Sequence, residues 1–289
     1  MKLVNFVKNG ECVLGVATER GVADISAVPG APHTVREALR MGREAAAAAL
    51  AWAAAEAEGE GYLSPEEIAF APAVDDPEKI LCVGKNYREH VSEVPELFPT
   101  DGSSPEIFAK FRNALTPHGG VVRLNPRSRK HDYEAEIAVI MGKAACGVSP
   151  QAAMDFVFGY TLANDITARD LQKAASQWTP GKACDTFCPL GPWIVTADEV
   201  RWDEISLSGY KNGQLRQQGC ARDMIRSIPE IVSFLSGCMT LQPGDVILTG
   251  TPSGVILGRP EAEQDWLQAG DVLEVRSEQL GTLTVTMAE

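Results

Sequence analysis

His131-Asp132-Tyr133-Glu134-Ala135-Glu136-Ile137-Ala138-Val139-Ile140 ends in β-branched and apolar residues, and its spacing predicts a strand. Residues two apart on a strand point to one face, so Asp132, Glu134 and Glu136 share a face with Ala138 and Ile140. The last two are core residues by type. Carboxylates heading toward an apolar interior repel one another and are costly to bury unless something positive sits between them. A divalent cation would remove that cost. The alternative is the wet end of an ordinary strand with both glutamates in water, where charged residues mostly lie. The rest of the chain has to decide.

The 289 residues suffice for one large domain or two unequal ones. A content of 45% hydrophobic and 22% charged residues is that of a soluble globular protein. The formal net charge of −13 argues against nucleic acid or an anionic membrane as the main partner. An anionic substrate would therefore need a local cation. The longest apolar run, Ala45 to Ala55, is mostly alanine and too short to span a bilayer. Asn5 and Lys8 interrupt the first residues, so no signal peptide is expected. Seven cysteines without a C-x-x-C pair indicate neither a disulfide framework nor a zinc ribbon. Cys184 and Cys188 are expected to be reduced, partly buried thiols, and the compartment to be cytoplasmic.

Residues 1 to about 28 alternate around Asn9-Gly10, a hairpin signal, and a turn near Gly21 extends them to a meander. Val35 to about Glu58 predicts one helix stopped by Gly59 to Gly61. Leu63 to Pro77 reads as a linker. A small N-terminal α+β domain over residues 1–75 follows, and a larger domain over 76–289. In the latter, short strands alternate with turns such as Lys211-Asn212-Gly213-Gln214. Gly244-Asp245 and Gly270-Asp271 each launch a strand, as for repeated entry into one sheet system. Helices are expected near Arg88–Val94, Pro150–Asp155, Thr167–Gln177 and Ile228–Ser236. The fold class is α+β, a mixed sheet that is rolled or barrel-like rather than doubly wound.

Four further constellations could carry chemistry. Asp165 stands where an apolar strand gives way to a helix-like segment; it is either a helix N-cap or a third carboxylate beside Glu134 and Glu136. Three carboxylates without cysteine or histidine make a hard oxygen site, suited to Mg²⁺, Mn²⁺ or Ca²⁺ rather than Zn²⁺. His90 and Glu93, three apart on a short helix, are neighbours on one turn, and a carboxylate beside imidazole fixes its tautomer. The alternative is an incidental surface pair, although His33, His118 and His131 lie in loop-like or basic contexts. Lys182, in Thr179-Pro180-Gly181-Lys182, is either a solvated loop lysine or an ammonium reaching an anion. Thr249-Gly250-Thr251-Pro252-Ser253-Gly254 offers hydroxyls and amides to a carboxylate and is no Walker loop.

Taken in order, these motifs resemble the fumarylacetoacetate hydrolase family, in the group with a short N-terminal domain and acylpyruvase or heptadiene-dioate isomerase members. The resemblance spans about Lys79 to Val255. Its residues are Gly84 and Asn86 to His90 with Glu93, Phe108 and Lys110, Asp132 to Glu136, Asn164 to Asp170, Gly181-Lys182, Pro189 to Trp193, and Leu248 to Pro252. It implies a mixed β-roll around a divalent metal, usually in a homodimer. It implies Glu134, Glu136 and Asp165 as ligands of Mg²⁺ or Mn²⁺, with Ca²⁺ as a substitute. It implies His90 and Glu93 as the catalytic pair on a mobile segment, and Lys182 as the anion-holding residue. Lys110, Gln217 and Thr251 match positions that line the substrate pocket.

The activity so implied is hydrolysis of a C–C bond in acylpyruvate-type 2-oxo acids. His90 would activate water, and the electrons would collect in an enolate held by the metal. Isomerisation, tautomerisation or decarboxylation of an unsaturated 2-oxo or 2-hydroxy dioate shares that enolate. A metal-stabilised binding protein would keep the fold without needing His90. Departures from the family pattern fall at Pro95 to Pro105, Gly219 to Asp223, and the long arm Ile256 to Gln268. They bear on substrate identity.

Overall fold

The computed structural model describes residues 1–57, 62–94 and 104–289. Its centre is a mixed sheet with an open strand order. The order runs Gly21–Asp24, Glu11–Thr18, Lys2–Lys8, Cys188–Thr196, Val157–Asn164, Ala135–Met141, Val246–Leu248, Ile80–Gly84 and Glu106–Lys110. A five-stranded sheet, ordered Gln214–Cys220, Ser206–Lys211, Val272–Ser277, Gly281–Ala288 and Val121–Arg123, packs near it. The expected α+β class holds, with mostly sheet and few helices. Neither sheet closes into a barrel in its strand order among the described residues.

Alternation along Ala135–Met141 sorts the core. Ala138 and Ile140 pack with Leu3, Leu14, Leu39 and Leu50 on one side, and Ile137, Val139 and Met141 pack with Leu162, Ile228 and Leu235 on the other. Each such aliphatic side chain contributes roughly 1.5–3 kcal/mol by leaving water. Glu136 lies on the Ala138 face by the same alternation.

The deciding stretch is not one strand. His131–Asp132 pairs with Thr167–Ala168, and pairing resumes at Ala135 opposite Asn164. Between them a side chain takes the place of the ladder: Glu134 N–H donates to Asn164 Oδ1 at 2.9 Å, and Asp165 N–H donates to Glu134 O at 2.8 Å. That break aims the Glu134 and Asp165 side chains at a common point.

Several other expectations are corrected. The single helix from Val35 becomes α1 (Val35–Arg40) and α2 (Arg43–Glu56), divided at Gly42, whose φ of 81° favours glycine; Gly59 to Gly61 lie outside the described residues. The meander of residues 1–24 continues the central sheet, with Leu3 paired to Ile194. Pro150–Asp155 yields a 3₁₀ turn at Ala153–Phe156. Thr167–Gln177 yields α4 (Arg169–Lys173) after a two-residue strand, with α5 (Thr179–Lys182) following. Helices α3 (Arg88–Glu93) and α6 (Ile228–Cys238) fall where the sequence places them. Both Asn-Gly hairpins form, with φ of 53° and 83° at Asn9-Gly10 and 52° and 74° at Asn212-Gly213. The two Gly-Asp turns launch strands of different sheets rather than one. All seven cysteines are free thiols. No helix among the described residues is long and apolar enough to cross a membrane.

Candidate active site

Glu134, Glu136 and Asp165 are buried and converge, each offering an oxygen within 4.8 Å of the others. Asp165 caps no helix; the residue preceding α4 is Ala168. Three cations surround the cluster. Lys182 Nζ lies 2.6 Å from Glu134 Oε2 and 2.8 Å from Asp165 Oδ2. Arg169 Nη2 lies 2.6 Å from Glu134 Oε1, and its Nε 2.9 Å from Asp132 Oδ2. Lys110 Nζ is 2.7 Å from Asp165 Oδ1, outside hydrogen-bonding geometry.

Counting Asp132, four carboxylates face three cations among the described residues, a formal excess of one carboxylate. The imbalance falls on Glu136. Burial raises its pKa, Asp165 and Glu134 raise it further, and Lys182 and a hydrogen bond from the Gly250 N–H at 2.6 Å only partly offset them. Its carboxyl is held well above the ordinary range. Burial acts the same way on Glu134, but Lys182 and Arg169 outweigh it and hold that group below the usual range. Burial works against the Lys182 ammonium, and Asp165 and Glu134 reverse this and raise it. The donor set fits a hard divalent cation: three carboxylates, no sulfur or imidazole, and a charge deficit that such an ion would fill.

His90 faces the same cleft as Glu134, Glu136 and Lys182. Its Nδ1 is 2.7 Å from Glu93 Oε1. With Glu93 ionised, that contact fixes the proton on Nδ1 and leaves Nε2 as the basic nitrogen. Asn86 roots the segment: its Nδ2 donates to Arg226 O (3.0 Å) and Thr249 O (2.8 Å), and its Oδ1 accepts from Arg226 N–H (2.8 Å). Phe108 and Trp178, with ring centroids 5.2 Å apart, form an aromatic wall. Gly84 permits it, because a Cβ there would lie 2.7 Å from the Trp178 ring. The space left between these groups is about 30 Å³.

The three residues expected to line the pocket part ways. Thr251 lines it, and its hydroxyl donates to Ala135 O at 2.9 Å. Lys110 is saturated below the floor, donating to the carbonyls of Ile166 (3.1 Å), Phe187 (2.8 Å) and Lys182. Gln217 bridges the sheets, donating to Thr251 Oγ1 and Pro252 O and accepting from Ala135 N–H. Both are struts that are buried away from the cleft. The other histidines are elsewhere: His118 Nδ1 accepts from Thr284 N–H, His131 Nε2 accepts from Asn125 N–H, and His33 is exposed. Sequence reasoning missed Arg169 and Gln172, which line the cleft four and seven residues after Asp165. Arg169 stood within a quoted motif, and the only signal was a cation close behind a carboxylate. Of the departing stretches, 95–103 lies outside the described residues, while Ile256–Gln268 forms two 3₁₀ turns over the site.

The family model described as fumarylacetoacetate (FAA) hydrolase C-terminal matches residues 79–288. Oxaloacetate tautomerase YisK of Bacillus subtilis is 41% identical over 235 residues, 78% of this chain and 75% of that protein. Oxaloacetate tautomerase fahd2 of Xenopus laevis, a mitochondrial protein by its name, is 35% identical over 293 residues, 98% of this chain and 89% of that one. Among solved structures, the fumarylacetoacetate hydrolase of Exiguobacterium antarcticum matches with a TM-score of 0.82 at 30% identity, covering 100% of this chain and 99% of that one.

Proposed function

The chain belongs to the fumarylacetoacetate hydrolase family, and on that premise we propose that it is a tautomerase or isomerase of small 2-oxo dicarboxylic acids, with oxaloacetate as the first substrate to test. The observation that carries this reading is one cleft in which an oriented imidazole faces a buried carboxylate cluster. The two oxaloacetate tautomerases among the relatives support the reaction class. Family membership makes the chain an enzyme of this superfamily; the reaction within it is the proposal.

Keto–enol interconversion moves one proton between C3 and the C2 oxygen and consumes no water. His90 Nε2 takes the C3 proton, and Glu93 holds Nδ1–H and stabilises the imidazolium that results. The Lys182 ammonium, held at the cluster, stabilises negative charge growing on the C2 oxygen. The imidazolium then hands the same proton to that oxygen, which restores the neutral base and leaves the ammonium charged. Phe108 and Trp178 give the cleft an apolar wall beside these groups. Glu134, Glu136 and Asp165 would hold Mg²⁺ or Mn²⁺, which when bound supplies Lewis-acid polarisation of the 2-oxo group. Family practice also suggests a homodimer.

Hydrolysis of an acylpyruvate is the second reading, supported by the hydrolase from Exiguobacterium antarcticum. There His90 would take its proton from water instead of from C3. One assay separates them: follow enol-oxaloacetate absorbance with Mn²⁺ present, and measure pyruvate released from acylpyruvates and CO₂ from oxaloacetate in parallel. Absorbance decay without fragmentation is expected. An absorbance decay no faster than in buffer, with pyruvate released, would replace the tautomerase reading by the hydrolase one.

A further inference from the structure

We infer that Gly258 is a positioning residue for the His90–Glu93 pair: its missing side chain is the space that the Glu93 carboxylate occupies. This rests on the proposed role of that pair. A Cβ at Gly258 would lie 2.6 Å from both Glu93 Cδ and Oε2, and 2.8 Å from Cγ. No real Cβ sits so close, so something would have to shift. Only one of the two sides can do so easily.

The backbone around Gly258 is held from several directions. Asp132 accepts from Ile256 N–H at 2.8 Å and Leu257 N–H at 3.1 Å while also gripping Arg169. Tyr133 Oη donates to Gly254 O, Gln264 Nε2 donates to Leu257 O, and Gly254 is itself packed so that a Cβ would fall 2.0 Å from Arg216 O. Glu93, by contrast, is the free end of a flexible side chain on a six-residue helix. Its anchors are His90 Nδ1 at 2.7 Å and the Gly254 N–H at 2.9 Å. A methyl group at position 258 therefore displaces the carboxylate, not the arm. Gly258 has no positive φ, so alanine fits its backbone and reduces the freedom of the unfolded chain. Structure and activity should then part: the fold tolerates the change and the imidazole loses its orienting partner.

The arrangement also explains the long arm Ile256–Gln268. Through Asp132 it is tied to Arg169 and Glu134, and through Gly258 it abuts Glu93, which the preceding Gly254 N–H also holds. One segment thus sets the base against the carboxylate cluster.

The test compares Gly258→Ala in the wild-type and the Glu93→Gln backgrounds. In the wild-type background kcat should fall roughly 10- to 100-fold, a part of the roughly 10²- to 10⁴-fold that a positioned base contributes, with KM, Mn²⁺ affinity and melting temperature unchanged. A crystal structure of the variant should show the Glu93–His90 contact opened from 2.7 Å to beyond 3.5 Å. In the Glu93→Gln background the same substitution should cost nothing further, because contacting residues are non-additive. Full activity of Gly258→Ala, a lowered melting temperature, or an equal loss in both backgrounds would overturn the proposal. A fully active Glu93→Gln enzyme would remove the role of the pair itself, and the proposal with it.

Discussion

Replacing Lys182 with methionine tests the charge balance at the centre of the molecule. The Lys182 ammonium is buried, 2.6 Å from Glu134 and 2.8 Å from Asp165. Methionine fills similar volume without charge and leaves four carboxylates against two cations. Breaking a buried ion pair by removing one partner costs about 3–5 kcal/mol, because the remaining charge stays buried and uncompensated. At a few degrees per kcal/mol for a chain of this size, the melting temperature in a chelator should fall by roughly 5–15 °C. A divalent ion restores positive charge at the same point. At a free concentration 100 times its Kd it stabilises any site by about 2.7 kcal/mol, and it should bind the variant more tightly because no ammonium competes. Scanning calorimetry with chelator and then with a Mn²⁺ series reads both effects. If Lys182→Met melts with the wild type in chelator, or if Mn²⁺ raises both proteins equally, the ammonium does not stand in for a cation.

Other expectations follow from the same geometry. Glu134→Ala and Asp165→Ala should abolish Mn²⁺ binding followed by electron paramagnetic resonance, and unchanged affinity in either would remove that residue from the metal site. His90→Ala should keep Mn²⁺ and the wild-type melting temperature yet slow exchange of the oxaloacetate C3 protons into D₂O by roughly 10²- to 10⁴-fold; retained exchange refutes its role as base. Gln217→Ala should destabilise the fold by about 1–3 kcal/mol in denaturant titrations, since Ala135 N–H loses its acceptor, with KM unchanged; a raised KM would return Gln217 to the pocket. Asp170 supplies a pH test. Burial raises it, but the Ser128 hydroxyl and the N–H groups of Arg129 and Leu171 hold it below its ordinary 3.8. Its stabilisation is therefore present above that value and lost as pH falls through the folded one. Asp170→Asn should flatten the acid side of the stability–pH curve, and an unaltered slope would refute the assignment.

Much of the site was legible because strand alternation is a local rule. Glu136, Ala138 and Ile140 do share a face, and His90 and Glu93 meet because residues three apart on a helix must. What escaped depends on partners distant in the chain. Asn164 replaces a rung of the ladder and so breaks the deciding strand. Lys110 looked like a substrate contact and is a strut, because three carbonyls from other segments saturate it. Arg169 was passed over for the converse reason: its importance lies in reaching Glu134 and Asp132 across a fold that spacing alone does not reveal. The division of the first helix at Gly42 was written locally, and the alanine-rich run that follows masked it.

The pairing of Leu3 with Ile194 has a consequence in time. During synthesis Leu3 leaves the ribosome about 190 residues before its partner, and at roughly 5–20 residues per second it waits on the order of 10–40 s. Its hairpin with Glu11–Thr18 forms early, and Ala69–Phe70 can cover Phe6 and Val7 on the other edge soon after, yet Lys2 and Leu3 stay bare on that edge until Cys188–Thr196 is made. A nascent chain stalled before residue 188 should therefore remain open to protease at Lys2 and Leu3, and one stalled far enough beyond residue 196 to clear the exit tunnel should close it. Protection at the earlier stall would show that the first strand finds another partner meanwhile.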